Sequence, residues 1–275
     1  MPHSKIMSTG SAASSGAAST GAVAGLGADR DALVEVLSAL PAEGWAAPSG
    51  CAGWSVKDLV AHMGALFWTL VDRSVLPDTT GLPTERAQDA HVAARASWEP
   101  ARTFEDYVTV SGPALEVLTR LDARPDRVLA LGDLGTYPAP LLGTAFAFDH
   151  YTHIRADLFA PRGPLAGPVP PADELRLRPV MAWMRAALPQ HSASVLAALG
   201  GAVELALHGP AGGTWYVGPD GVRDERPTGG VVASVRSSTH DFVLWGTERA
   251  RWEDLDVVAE GDASALAALR RVHVF

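Results

Sequence analysis

The sequence predicts a mainly α protein, a helical domain followed by a small α+β domain, and three observations lead there. Apolar residues recur at i, i+3 and i+4 over much of the chain before residue 200. Beyond Gly200 the texture changes to short alternating runs separated by Gly and Pro turns. The chain has 275 residues, 47% of them apolar, enough to bury one large core or two ordinary ones.

The elements follow in order. The opening "MPHSKIMSTGSAASSGAASTGAVAGLG" is Ala/Ser/Gly low complexity, with too few large apolar groups to offset the entropy of ordering. Residues 1–28 are therefore expected to be a disordered tail, and the Ser/Gly interruptions deny them the apolar run of a signal peptide. From Asp29 the pattern turns helical, with Leu33, Val36, Leu37 and Leu40 on one face before Pro41. Ser55 is placed to cap "SVKDLVAHMGALFWTLVDRSVL", where Val56, Leu59, Val60, Met63, Phe67 and Leu70 keep helical spacing. A weaker helical segment covers about 85–98. Another runs from about Thr103 to Leu121, with Thr103 and Asp106 resembling a capping box and Pro113 predicting a kink. "RVLALGDLGTYP" reads as an extended connection.

A strong helix spans about 139–159, and a further one about 172–199, interrupted by Pro179 and Pro189. Next, "AVELALH", "TWYVG" and "VVASVRSS" read as strands, "THDFVLWGTE" as helix, "LDVVAEG" as extended and "DASALAALRRV" as helix. The expected organisation is a helical domain over 29–199 and an α+β domain over 200–275.

Composition excludes several classes of function. The formal net charge of −9 argues against nucleic acid, whose phosphates this surface would repel. The absence of about 18 consecutive apolar residues argues against a membrane span. Cys51 is the single cysteine, so an intrachain disulfide or a CxxC site is impossible, in agreement with a reducing cytoplasm. The chain has no Walker loop, GxGxxG after a strand, GxSxG elbow or HExxH.

The informative stretch is "FDHYTHIRADL", at the end of the helix over 139–159. On a helical wheel Leu142, Phe146, Asp149 and His153 fall within about 60° of one another, so the carboxylate and imidazole continue the apolar stripe. Burying them unpaired would cost several kcal/mol, and a divalent cation would remove most of that penalty. His150 lies off the line. His62, on the flank of its helix's apolar stripe beside Leu59 and Leu66, is the best third ligand from another helix. On spacing alone this three-residue site stands beside a bland alternative, polar residues fraying off the end of a core helix.

"GWSVKDLVAHMGAL", "FDHYTHIRADLFAPRGPL" and "LWGTERARWEDLDVVAEGDASALAALRR" together resemble the mycothiol-dependent maleylpyruvate isomerase family of the DinB-like superfamily. The likeness runs from about Asp29 to the C-terminus. It implies a DinB-like four-helix bundle holding a divalent metal, usually zinc, followed by a small α+β domain. By the resemblance His62 and His153 take the positions of the two histidine ligands, and Asp149 stands where the family has Glu. Aspartate is one methylene shorter, so its oxygen reaches less far from the helix.

The resemblance further implies that mycothiol, an actinobacterial thiol, occupies the open position of the metal. Its thiolate would attack a small-molecule electrophile. Addition, rotation and elimination would give a cis–trans isomerase, and addition alone a thiol S-transferase. In relatives an arginine of the C-terminal domain reaches towards the metal cleft. "TERARW" offers Arg249 first and Arg251 second, beside the alternative of two surface arginines balancing nearby acids. Two other functions remain open from the sequence: a hydrolase using metal-activated water, and a non-catalytic binding or stress-response protein of the same fold.

Remaining features have structural readings. Trp54 is expected as a core anchor, Asp58 as a helix-N-terminal acid, and Cys51 as an unreactive buried loop residue. His91, His191, His208, His240 and His273 have no partners by spacing.

Overall fold

The computed structural model describes residues 21–275, and the expected disorder of residues 1–20 lies outside the described residues. Among the described residues ten α-helices and seven short strands follow one another. The helical part comprises α1 (Ala22–Ser38), α2 (Ala42–Ala46), α3 (Val56–Val71), α4 (Thr84–Ala93) and α5 (Pro100–Asp122). It continues through a hairpin, β1 (Val128–Ala130) and β2 (Thr136–Pro138), to α6 (Pro140–Thr152), a π-helical turn (His153–Leu158), α7 (Glu174–His191) and α8 (Ala193–Ala197).

The first helix starts at Ala22, seven residues before the expected start. Small residues there are a packing device: Ala22, Gly25 and Leu26 are buried. A Cβ on Gly25 would lie 2.6 Å from the carbonyl oxygen of Leu175, so only glycine lets α1 approach α7 this closely. Asp29, Arg155 and Arg176 tie the same helices together. Both guanidinium groups reach the buried carboxylate, Arg155 through two bonds of 3.0 and 2.7 Å and Arg176 through one of 2.8 Å.

Ser55 caps α3 as expected, and Asp58 closes a full capping box with it. The α5 start differs from its expectation. Pro100 sits in the first turn, where its missing N–H is not needed, and Thr103 is already inside the helix, its hydroxyl on the Glu99 carbonyl. In the bundle α3 lies beside α5, α5 beside α1 and α6, and α6 beside α1 and α7. Leu33, Leu59, Met63, Phe67, Tyr107, Leu118 and Phe146 fill its interior.

The C-terminal part carries a five-stranded sheet in the order β5–β4–β3–β6–β7. Its strands are β3 (Val203–His208), β4 (Gly213–Gly218), β5 (Gly221–Arg223), β6 (Ala233–Ser238) and β7 (Val258–Gly261), with α9 (Thr239–Gly246) and α10 (Ala263–Leu269) completing the chain. β3 and β6 pair in parallel and the other neighbours are antiparallel. The β3–β6 crossover keeps Val203 opposite Ala233 and Leu205 opposite Val235, so their apolar residues share one face. That face forms one core with Trp183, Met184 and Leu188 of α7 and with Phe242 and Trp245 of α9. Thus α7 is packed on both sides, against α1 and α6 on one and against the sheet's core on the other. The architecture is the expected one, a helical bundle followed by a small α+β part. Among the described residues no helix is long and apolar enough to cross a membrane.

Candidate metal centre

Two helices bring the candidate ligands together. His62 stands in the middle of α3, whose neighbours Leu59, Val60 and Met63 are fully buried and fix the helix against the core. Asp149 lies one turn from the end of α6, and His153 opens the π-helical turn that continues it. The Nε2 of His62 lies 3.2 Å from Asp149 Oδ1, and the Nε2 of His153 lies 3.4 Å from the same oxygen. His62 and His153 rings meet edge to face with centroids 5.1 Å apart. All three polar groups therefore meet in one cluster, with side-chain exposures of 6%, 19% and 11% for His62, Asp149 and His153.

The donor set fits a small divalent ion. One nitrogen from each histidine and one carboxylate oxygen lie within 4.8 Å of one another. Ligands about 2.0–2.1 Å from a tetrahedral zinc are roughly 3.3–3.4 Å apart, close to the spacings between Asp149 and each histidine. The other oxygen of Asp149, Oδ2, is buried with no hydrogen-bond partner among the described residues, His150 Nδ1 lying 3.5 Å from it.

The electrostatics divide the two histidines. Burial holds the His62 imidazole below its ordinary value, and the neighbouring Asp149 only partly offsets this. Burial acts on His153 in the same direction, but Asp149 and the bond to Asp157 override it and push His153 well above the usual range. Burial would raise Asp149, yet the facing histidines keep it well below the ordinary carboxylate range. The cluster is thus a carboxylate shared between two imidazoles of unequal basicity. His150 stands at the edge of it, its Nδ1 3.5 Å from Asp149 Oδ2. That nitrogen also lies 3.2 Å from the Phe146 carbonyl, and the ring is wedged between Phe67 and Tyr107.

A residue that the sequence reading passed over completes the surroundings. Asp157, fully buried, accepts a 2.9 Å hydrogen bond from His153 Nδ1. The signal was present: 149, 153 and 157 are spaced by four, one helical face. Burial would raise Asp157, but His153 and Arg249 bring it down to about 2. The wider π turn, closed by the Phe159 N–H on the Ile154 carbonyl at 3.1 Å, carries Asp157 behind His153.

The two candidate arginines separate. Arg249 comes in from the turn after α9 and bonds Asp157 Oδ2 through Nε at 2.9 Å and a terminal nitrogen at 2.8 Å. Arg251 is 77% exposed and bonds Asp254 three residues on, at 2.9 and 3.1 Å. The structure does not bring Arg251 to the cluster, because a local carboxylate on the same turn holds it at the surface. Trp54 is half-buried, its ring 5.2 Å from that of His62, so it walls the cluster as well as anchoring the loop. Cys51 also borders it, Sγ 3.7 Å from His153 Nδ1. A surface cleft of about 510 Å³, lined by Cys51, Trp54, Ser55 and Asp58 among others, opens on the outer side of this loop.

Fold and cluster together define a helical-bundle protein with a His–carboxylate–His centre between helices and an α/β sheet appended. Residues 26–159 match the family model described as the mycothiol maleylpyruvate isomerase N-terminal domain. The chain is also similar to the crystal structures of a mycothiol-dependent maleylpyruvate isomerase, TM-score 0.53, and of its histidine-to-alanine mutant, TM-score 0.54. Each is 17% identical and the match covers 88% of this chain and 93% of that one, a likeness of fold. No curated protein matches the chain.

Proposed function

We propose that this protein is a metal-dependent, mycothiol-using enzyme that acts on a small electrophilic substrate, with cis–trans isomerisation as its reaction. The observation that carries the reading is the convergence of His62 Nε2 and His153 Nε2 on Asp149 Oδ1, at 3.2 and 3.4 Å, inside the region that matches the family model. His62, Asp149 and His153 are the proposed ligands, for zinc first. When bound, such an ion supplies a Lewis acid that keeps a thiol as thiolate at neutral pH.

The chain's own residues prepare the centre. Asp149 supplies the one negative charge between two imidazoles, which favours a cation there. His153 is oriented by its bond to Asp157, and Trp54 covers His62 on the loop side. Three protein donors leave a fourth position for a ligand, the pattern of a catalytic rather than a structural site. The contacts of Arg249 with Asp157 support a place beside the ligands rather than one on the substrate, and those of Arg251 support a surface role.

The test is a thiol-dependence assay. Zinc-loaded protein is given a cis-enoyl diacid such as maleylpyruvate, with and without mycothiol, and the product is read by absorbance and chromatography. Isomerisation that requires the thiol and disappears in His62→Ala supports the reading. A stable thiol adduct moves it to S-transfer, thiol-independent hydrolysis replaces it with a hydrolase, and no turnover of any electrophile overturns it.

A further inference from the structure

The side of His153 that faces away from Asp149 is built as carefully as the side that faces it. Nδ1 donates to Asp157 Oδ2 at 2.9 Å, and the same oxygen receives two bonds from Arg249, at 2.9 and 2.8 Å. The other oxygen, Oδ1, lies 3.5 Å from a terminal nitrogen of Arg162 and directly over Gly50. A Cβ at Gly50 would stand 2.8 Å from both Asp157 Oδ1 and Asp157 Cα, so the loop before α3 leaves room for this carboxylate only because residue 50 is glycine. The Gly50 N–H also donates to the Asp157 carbonyl at 2.8 Å, and Arg162 reaches back to the Gly50 carbonyl.

Arg249 is aimed by a specific piece of backbone. Glu248 takes a left-handed conformation, φ 56°, at the end of α9. The Arg249 and Ala250 N–H groups then close on the Leu244 carbonyl at 2.8 and 3.2 Å. This reversal turns a side chain of the C-terminal part inward to a carboxylate of the bundle, 92 residues away in sequence. A carboxylate with 0% exposure and no cation beside it would be strongly destabilising, so Arg249, the nearer of two guanidinium groups with Arg162, helps Asp157 to sit there charged.

We propose that Asp157 is the positioning residue for His153 and that Arg249 acts through Asp157, so that the C-terminal part of the chain holds the metal centre in working order. The proposal rests on the metal reading of His62, Asp149 and His153. A neutral imidazole whose Nδ1–H is held by a carboxylate presents its Nε2 lone pair in a fixed direction, and such a partner also raises the basicity of that nitrogen. Cys51 and Asp157 form with His153 a second group of donors within 4.8 Å. Asp157 Oδ2 is already committed to His153 and Arg249, however, which assigns this side to support rather than to a second ion.

The inference separates Arg249 from a substrate-binding role. A group on the substrate would change KM and leave zinc affinity alone, whereas a group acting through Asp157 changes zinc affinity in the absence of any substrate. Zinc dissociation constants are measured by competition with a chromophoric chelator for the full chain, Asp157→Asn, Arg249→Gln and Arg249→Lys. Asp157→Asn should weaken zinc on the order of 10–100-fold, Arg249→Gln should weaken it less, and Arg249→Lys should recover part of the loss. NMR of the zinc-loaded protein supplies an independent reading, with His153 protonated at Nδ1 in both proteins and the resonance of that N–H shifted in Asp157→Asn as the charged acceptor is lost. Binding within about twofold of the parent in both Asp157→Asn and Arg249→Gln overturns the inference while leaving the metal reading intact. Failure of the parent itself to bind zinc overturns both.

Discussion

Replacing Asp29 with asparagine should destabilise the whole bundle, and the magnitude follows from what its carboxylate holds. Asp29 is 2% exposed and accepts three charge-assisted bonds, from Arg155 at 3.0 and 2.7 Å and from Arg176 at 2.8 Å. Asparagine keeps one acceptor oxygen, turns an NH₂ towards a guanidinium, and removes the one carboxylate among the described residues that bonds Arg155, itself 2% exposed. Arg176 retains Asp173, and Arg155 retains the Pro171 carbonyl at 2.9 Å and the face of Tyr151, so the loss is not complete. Breaking a buried pair from one side costs about 3–5 kcal/mol, and these surviving partners place Asp29→Asn near the lower end. With a urea slope of roughly 3 kcal/mol per M for a chain of this size, the unfolding midpoint should fall by about 1 M. A fall of less than about 0.3 M, equivalent to roughly 1 kcal/mol, would show that the network does not hold α1, α7 and the π turn together.

Three further predictions concern separate parts of the molecule. Burial holds His240 below its ordinary value, and its Nδ1 lies 2.8 Å from the Tyr151 hydroxyl. The unfolded chain therefore takes up this proton more readily, so the stability it contributes is complete above about pH 6.5 and lost as pH falls through the lower folded value. Urea midpoints should fall between about pH 7 and pH 5, and less steeply in His240→Gln; equal slopes would contradict the assignment. Ser55→Ala removes the hydroxyl that accepts from the Asp58 N–H and donates to its carboxylate at 2.7 Å, and should cost about 1 kcal/mol in thermal or urea unfolding. Gly50→Ala puts a methyl 2.8 Å from Asp157 and should lower both Tm and zinc affinity, and a variant with unchanged zinc affinity would show that Asp157 is free to move.

The sequence was most readable where side-chain periodicity and burial agree. The α6 stripe of Leu142, Phe146, Asp149 and His153 pointed to a polar cluster at the end of a core helix, and the strands with clean alternation, β3 and β6, lay where Val203, Leu205 and Val235 required. The places that misled have physical causes. Ala22 to Ala28 read as low complexity because the same small residues that fail to build a core alone allow α1 to pack closely on α7. The start of α5 was hidden because Pro100, normally a breaker, is harmless in a first turn. β5 is three residues long and too short to alternate. The role of Asp157 depends on Arg249, brought from 92 residues away by a left-handed Glu248, and no local pattern encodes that meeting.

The central claim, that His62, Asp149 and His153 hold a divalent metal, is tested most directly by the metal content of untagged protein. Elemental mass spectrometry would be run beside His62→Ala and Asp149→Ala, with unfolding curves to establish that both variants are folded. The geometry predicts about one ion per chain, zinc first, and its loss in both variants. A folded parent protein that takes up no ion even after reconstitution, or variants that keep theirs, would contradict it.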